Sequence, residues 1–145
     1  MQLLIENEQA MEALGAKIAS DCHGGELIIL KGQLGAGKTT LVRGFLRSLG
    51  HQGTVKSPTY TLVETYLCHS HENKNPALSV HHFDLYRLID PGELELMGFR
   101  DYFHDKAINL IEWPEKAGNL LPKPDMIIDI EVLADNKRQV NINPS

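Results

Sequence analysis

The sequence predicts an α/β fold: three layers around a mixed, mostly parallel central sheet, finished by a C-terminal antiparallel hairpin. Three observations carry that prediction. The apolar runs in ELIILK and AINLIE do not alternate, as expected of strands covered on both faces in a parallel sheet. Apolar residues recur at helical spacing on either side of the first run. Near the end, DMIIDIEVL, the turn pair Asp135-Asn136 and RQVNIN read as a hairpin. Few helices separate the later strands, so the helix count is low for a fully doubly wound sheet.

Taken in order, Met11, Leu14, Ile18 and Cys22 predict a helix from about Asn7 to Cys22, stopped by Gly24-Gly25. ELIILK is the first strand. Leu41, Val42, Phe45, Leu46 and Leu49 mark a second helix that opens at Lys38, with Gly50 as its C-terminal stop. Thr54 to Lys56 is the expected lead-in to a strand, Ser57-Pro58-Thr59 a tight bend, and YTLVETYLC a longer strand. HSHENKNPA is a polar loop, and SVHHFD another strand that ends on Asp84. Asp90, Pro91 and Glu93 occupy the N-cap, first and third positions of a helix in a capping-box pattern. Gly98 interrupts it and FRDYFH continues the turn. AINLIE closes on Glu112, and Trp113-Pro114 breaks the strand.

A chain of 145 residues fits one domain, here residues 1–145, with a core large enough to need no disulfide or structural metal. No apolar run approaches the ~20 residues of a membrane span. The opening MQLLIENEQ lacks the basic and apolar regions of a secretory signal, and Cys22 and Cys68 form no C-x-x-C. Both points favour the cytoplasm. Net charge is −5, which argues against a generic grip on nucleic acid. Its distribution is uneven: no acid falls between Leu27 and Val63, whereas Lys31, Lys38, Arg43, Arg47 and Lys56 all do. Such a cationic zone suits a small polyanion better than a duplex.

That zone surrounds Gly32-Gln33-Leu34-Gly35-Ala36-Gly37-Lys38-Thr39, a match to G-x-x-x-x-G-K-[ST] set between a strand and a helix. Chance supplies the pattern in roughly one chain of this length in two hundred, before its placement is considered. The glycines let backbone N–H groups curl around phosphate oxygens while the helix N-terminus adds partial positive charge. The candidate phosphate-binding residues are therefore Gly32, Leu34, Gly35, Ala36, Gly37, Lys38, Thr39 and Thr40. Lys38 reaches the β and γ phosphates and Thr39 ligates Mg²⁺. The fold expected is P-loop NTPase-like, and the ligand a nucleoside di- or triphosphate with magnesium. Guanine selectivity would require N-K-x-D; Asn73-Lys74-Asn75-Pro76 has proline where the aspartate belongs, and Asp84-Leu85-Tyr86-Arg87 supplies no D-x-x-G. ATP becomes the default.

Hydrolysis needs a carboxylate for the ion and a group that orients or deprotonates water. If SVHHFD and AINLIE both run parallel to ELIILK, Asp84 and Glu112 project toward Lys38 and Thr39, since sites in open α/β sheets form beyond the strands' carboxyl ends. Asp84 is then the candidate holder of the ion, and Glu112 either ligates it or acts as base; the residues leave both assignments open. Thr59 fits a γ-phosphate sensor or an ordinary turn. Trp113 fits a partner of the phosphate loop or a core filler. Cys68, His69, His71, His81 and His82 lack zinc-site spacing. His81 and His82 point to opposite faces of their strand, so at most one faces the nucleotide.

Four stretches together, LGAGKTT, VKSPTYTLVETY, HFDLYRL followed by a Pro-Gly-Glu helix and MGFRDYF, and IEWPE, resemble the bacterial TsaE family from about Glu8 to Asp129. The resemblance implies a Mg²⁺-dependent ATPase, slow alone, that serves threonylcarbamoyl modification of the tRNA adenosine beside the anticodon. It implies work with the TsaB–TsaD heterodimer, and contact with tRNA through that complex. By family match Thr39 and Glu112 are magnesium ligands, Asp84 and Trp113 matter for hydrolysis, and residues near Glu8 together with Glu115 line the nucleoside pocket. Gln33 stands where the family more often has Asp, which matters little because the backbone forms the cradle. Two other readings are a small-molecule kinase, which needs an arginine-rich lid, and a module that senses ATP without cleaving it.

Overall fold

A computed structural model describes residues 1–69 and 77–144. His71 and Asn73-Lys74-Asn75-Pro76, named in the sequence reading, lie outside them. Among the described residues, seven strands form a single sheet in the order β1-β7-β6-β2-β5-β4-β3. They are β1 (Gln2–Ile5), β2 (Leu27–Lys31), β3 (Val63–His69), β4 (Ala77–Asp84), β5 (Ala107–Glu112), β6 (Met126–Val132) and β7 (Arg138–Pro144). The central strands β6, β2, β5 and β4 are mutually parallel, and β1, β7 and β3 join antiparallel at the flanks. The expected mixed sheet and C-terminal hairpin are both present.

The unbroken apolar run of β2 follows from its two covered faces. Ile28 and Leu30 enter a core beneath helices α1 (Glu8–Ser20) and α2 (Lys38–Ser48), with Met11, Ile18, Leu41 and Phe45. Leu27 and Ile29 enter a second core on the other side, with Phe83, Leu94, Phe99 and Ile111. That second layer is thin. It holds the five-residue helix α3 (Gly92–Leu96) and two 3₁₀ turns, Phe99–Tyr102 and Pro114–Ala117.

The helix read from Asn7 is confirmed in detail: the Asn7 side chain accepts a hydrogen bond from Ala10 N at 2.8 Å, satisfying one of the first-turn donors. Where α1 crosses α2, both helices carry glycine. A Cβ on Gly44 would lie 2.0 Å from Glu12 O, and one on Gly15 would lie 2.1 Å from Leu41 O. This backbone-to-backbone approach ties the placement of α2, and of the loop before it, to α1.

One element was not anticipated, and two expectations change. Gln2–Ile5 is an edge strand on β7, although its three apolar residues give too short a pattern to read alone. Thr54 to Lys56 is irregular, and β3 begins only at Val63, because Leu62 N donates to Pro58 O at 2.8 Å and closes a turn that delays the strand. The expected capping box is not formed as such: α3 begins at Gly92 with Pro91 at its N-cap and no side-chain cap bond, and Asp90 Oδ1 instead accepts from Gly92 N at 2.9 Å.

Candidate functional site

The strand β2 ends at Lys31 and hands the chain to a loop whose Gly37 has φ 111°, a left-handed value that disfavours any side chain. A Cβ there would also press on Met11 Cε at 3.2 Å. Gly37 has no side chain to cap α2, so the helix's first N–H groups keep their donor capacity and the positive end of its dipole. The loop is braced from the hairpin side. Arg138 on β7 donates from Nε to Ala36 O at 2.9 Å and from Nη2 to Gly35 O at 3.3 Å. It occupies the two carbonyls with a cation and leaves the N–H side of the loop for an anion.

Across the loop the central strands end level. Leu30 and Asp84 both pair with Glu112, so the parallel orientation on which the two-acid reading depended is observed. A cleft of about 260 Å³ is lined by Leu34, Gly35, Gly37, Lys38, Thr39, Thr40, Ser57, Thr59, Asp84 and Glu112. Asp84 is 2% exposed; its Oδ2 accepts from Thr59 Oγ1 at 2.9 Å and its Oδ1 from Tyr86 N at 3.0 Å. Thr59 Oγ1 also lies 2.8 Å from Ser57 Oγ, so the SPT bend is tied to the acid. Lys38, 6% exposed, donates from Nζ to Gly32 O and pairs with Glu112 Oε1 at 3.3 Å. The same Nζ lies 4.7 Å from the centre of the Trp113 ring, a cation–π distance.

Glu112 has a second partner that the spacing of the sequence did not single out for this site. His82, on the neighbouring strand, places Nε2 2.6 Å from Glu112 Oε2. Burial pushes the Glu112 carboxyl up, but the bond and charge of His82, followed by those of Lys38, outweigh it and hold the group below its ordinary value. It is an ionised carboxylate on the cleft wall. Of the two adjacent histidines, of which at most one was expected to face the site, His82 is the one on the Glu112 side. His81 lies on the opposite side, bonded to Thr65 Oγ1 at 2.8 Å and meeting the Tyr102 ring edge to face.

The remaining candidates separate. Glu8 lines a neighbouring cleft of about 370 Å³ with Ile5, Met11, Asp135, Asn136 and Arg138, sharing Gly35, Gly37 and Thr40 with the first and including Ala36. Glu115 is in a third cleft, with Lys31, Gly32, Gln33 and Trp113. Glu8 and Glu115 thus fall in different clefts, because the 3₁₀ turn after β5 carries Glu115 away from α1. Of the cationic zone, Lys38 lines the main cleft. Arg43 pairs with Glu12 at 3.5 Å, and Arg47 binds His51 O and Gly53 O at 3.0 and 2.6 Å. Arg138, like His82, carries no motif; only the long-range pairing of β7 brings it to the loop.

The donor set suits magnesium: a threonine hydroxyl and two carboxylates are hard oxygen ligands. The thiols do not compete, since burial pushes Cys22 up to about 12 and Cys68 up to about 11. Among the described residues, no helix is long and apolar enough to cross a membrane.

The chain that carries this geometry is similar to known proteins. It is 53% identical over 109 residues to the tRNA threonylcarbamoyladenosine biosynthesis protein TsaE of Haemophilus influenzae, over 75% of this chain and 65% of that protein. The matched stretch therefore spans under two thirds of that relative's length. It is 36% identical over 144 residues to the protein of the same name from Aquifex aeolicus, covering 97% and 94% of the two chains. The crystal structure of YdiB from Bacillus subtilis superposes with a TM-score of 0.79 at 26% identity, covering 99% of this chain and 84% of that one. Residues 5–140 match the profile of the threonylcarbamoyl adenosine biosynthesis protein TsaE, and the chain belongs to the TsaE family.

Proposed function

We propose that this chain binds Mg-ATP in the cleft between α2 and the ends of β4 and β5, hydrolyses it to ADP and phosphate, and serves tRNA threonylcarbamoyladenosine biosynthesis with the TsaB–TsaD heterodimer. The observation that carries the ATPase part is the common level of the Leu30, Asp84 and Glu112 strand ends, which sets two carboxylates against the glycine loop, Lys38 and Thr39. The names of the relatives support the pathway.

In this reading the loop N–H groups and the α2 N-terminus bind the phosphates, and Lys38 turns from Glu112 and Gly32 O to the β and γ oxygens. Thr39, Asp84 and Glu112 are the residues that would hold magnesium, which supplies charge neutralisation on those oxygens. Asp84 is held at both oxygens by Thr59 and the Tyr86 amide, so it suits a fixed anchor. Glu112 loses Lys38 to the phosphates and is then the freer carboxylate, suited to orient the attacking water and accept its proton. The cleft beside Glu8 and Arg138, continuous with the loop, suits the nucleoside.

A kinase reading is weakened by the arginines. Arg87 is stacked on Tyr60 at 4.3 Å and Arg100 is paired with Glu95, which leaves neither poised over the cleft. The test measures phosphate release and fluorescent-ATP binding for wild type, Lys38→Ala, Asp84→Asn and Glu112→Gln, alone and with the heterodimer. Expected are ATP-dependent capture of the heterodimer, weakened binding in Lys38→Ala, and turnover reduced at least about 100-fold in the acid variants with affinity within several-fold. Wild type that binds ATP but releases no phosphate even with the heterodimer would be a sensing module. Transfer of phosphate to an added acceptor would make it a kinase.

A further inference from the structure

Building on the Mg-ATP reading, we infer that His82 is a positioning residue for Glu112: it pins one carboxylate oxygen so that the other stays turned to the cleft when Lys38 leaves for the phosphates. The sheet register sets this up. His82 pairs with Leu110 and Asp84 with Glu112 across two parallel strands. In strands, residues two apart share a face, so His82 lies on the same face as Asp84, one step below the strand ends. Its imidazole is 0% exposed and in direct contact with Glu112.

The proton on that bond is assigned by chemistry. An ionised carboxylate only accepts, so Nε2 carries a hydrogen and donates it to Oε2 across 2.6 Å. His82 Nδ1, in contrast, is buried with no hydrogen-bond partner among the described residues. A core position kept for packing is better filled by an apolar side chain, which leaves no bare nitrogen. Among the described residues this imidazole makes a single polar bond, and that bond goes to a carboxylate of the cleft.

The partners of Glu112 differ in permanence. Oε1 is held by Lys38 at 3.3 Å, and the nucleotide competes for that lysine. Oε2 is held by His82, which no ligand in the cleft can reach. Asp84 needs no such support because Thr59 and the Tyr86 amide occupy both its oxygens. Without His82, Glu112 would lose its orientation at the moment its free oxygen is required.

Three variants of the full chain test this. In His82→Gln the amide nitrogen takes the position of Nε2; in His82→Asn it is polar but too short; His82→Leu fills the space. The readouts are melting temperature, fluorescent-ATP affinity in EDTA, the magnesium concentration for half-maximal tightening of that affinity, and kcat and KM for phosphate release. Expected for Gln are values within about threefold of wild type. Asn and Leu should bind nucleotide in EDTA within about threefold, need about tenfold more magnesium, and lose at least about 30-fold in kcat with KM little changed. In a Glu112→Gln background the same substitutions should change nothing further.

Asn or Leu matching wild type in magnesium dependence would overturn the inference. So would a Gln variant that loses as much as Leu, since that marks a merely structural imidazole. If wild type releases no phosphate, the ATPase reading fails, while the magnesium titration still decides the role of His82.

Discussion

Substituting Gly44 by alanine should destabilise this protein, against the helix propensity of the residue. In an exposed helix the change stabilises by about 1 kcal/mol. Here the new Cβ would lie 2.0 Å from Glu12 O and 2.6 Å from Glu12 Cα. A carbon-to-oxygen contact settles near 3.3 Å, so α1 and α2 must separate by about 1 Å. Both obstructing atoms are backbone, and no rotamer relieves them. Overpacking of this kind costs about 1–3 kcal/mol in general. We expect the upper half of that range before the propensity gain is subtracted, for a net loss of about 1–2 kcal/mol. For a chain of this size that is a fall of about 3–8 °C in Tm, measured by thermal and urea unfolding. Gly15→Ala, 2.1 Å from Leu41 O, should behave alike. The double variant should lose less than the sum, because one separation relieves both clashes. Since α2 begins at Lys38, the displacement should also weaken nucleotide binding about fivefold or more. A Tm for either single variant equal to or above wild type would refute the close-crossing argument.

Arg138→Ala frees the carbonyls of Gly35 and Ala36, and with charged hydrogen bonds worth about 1.5–3 kcal/mol, ATP affinity should fall about tenfold in a fluorescence titration while the far-ultraviolet spectrum is unchanged. His81 is depressed from 6.5 to about 4, first by burial and then by the charge of His104. Between those values the native state binds fewer protons than the unfolded chain, so its contribution is complete above about 6.5 and falls as pH drops toward 4. At most about 3 kcal/mol is at stake. His81→Gln should flatten that part of the urea-stability profile, and an unchanged slope would count against the neutral buried imidazole.

Much of this site is legible before folding because it is local chemistry. The span from Gly32 to Thr39 is contiguous, and its strand and helix neighbours announce themselves by periodicity. Asp84 and Glu112 are each the last residue of an apolar strand, so a single assumption about strand direction brought them together, and the ladder supports it. Glu8 and Glu115 fared differently. The family resemblance puts both at one nucleoside pocket, but after Trp113, with φ 58° at that residue, the turn puts Glu115 in another cleft than Glu8. The strand at Gln2–Ile5 was invisible because its partner, β7, lies at the far end of the chain.

What the sequence alone determined is the glycine loop between a strand and a helix, the buried parallel strands and the two acids, since each depends on residue type and spacing within a single element. Only the tertiary structure decided the partners of those groups: His82 on Glu112, Thr59 on Asp84, and Arg138 behind the loop. The reason is physical. A hydrogen bond between strands is set by register and strand order, which arise from how two hydrophobic cores close on opposite faces of the sheet, and nothing in either partner's immediate neighbours encodes that pairing.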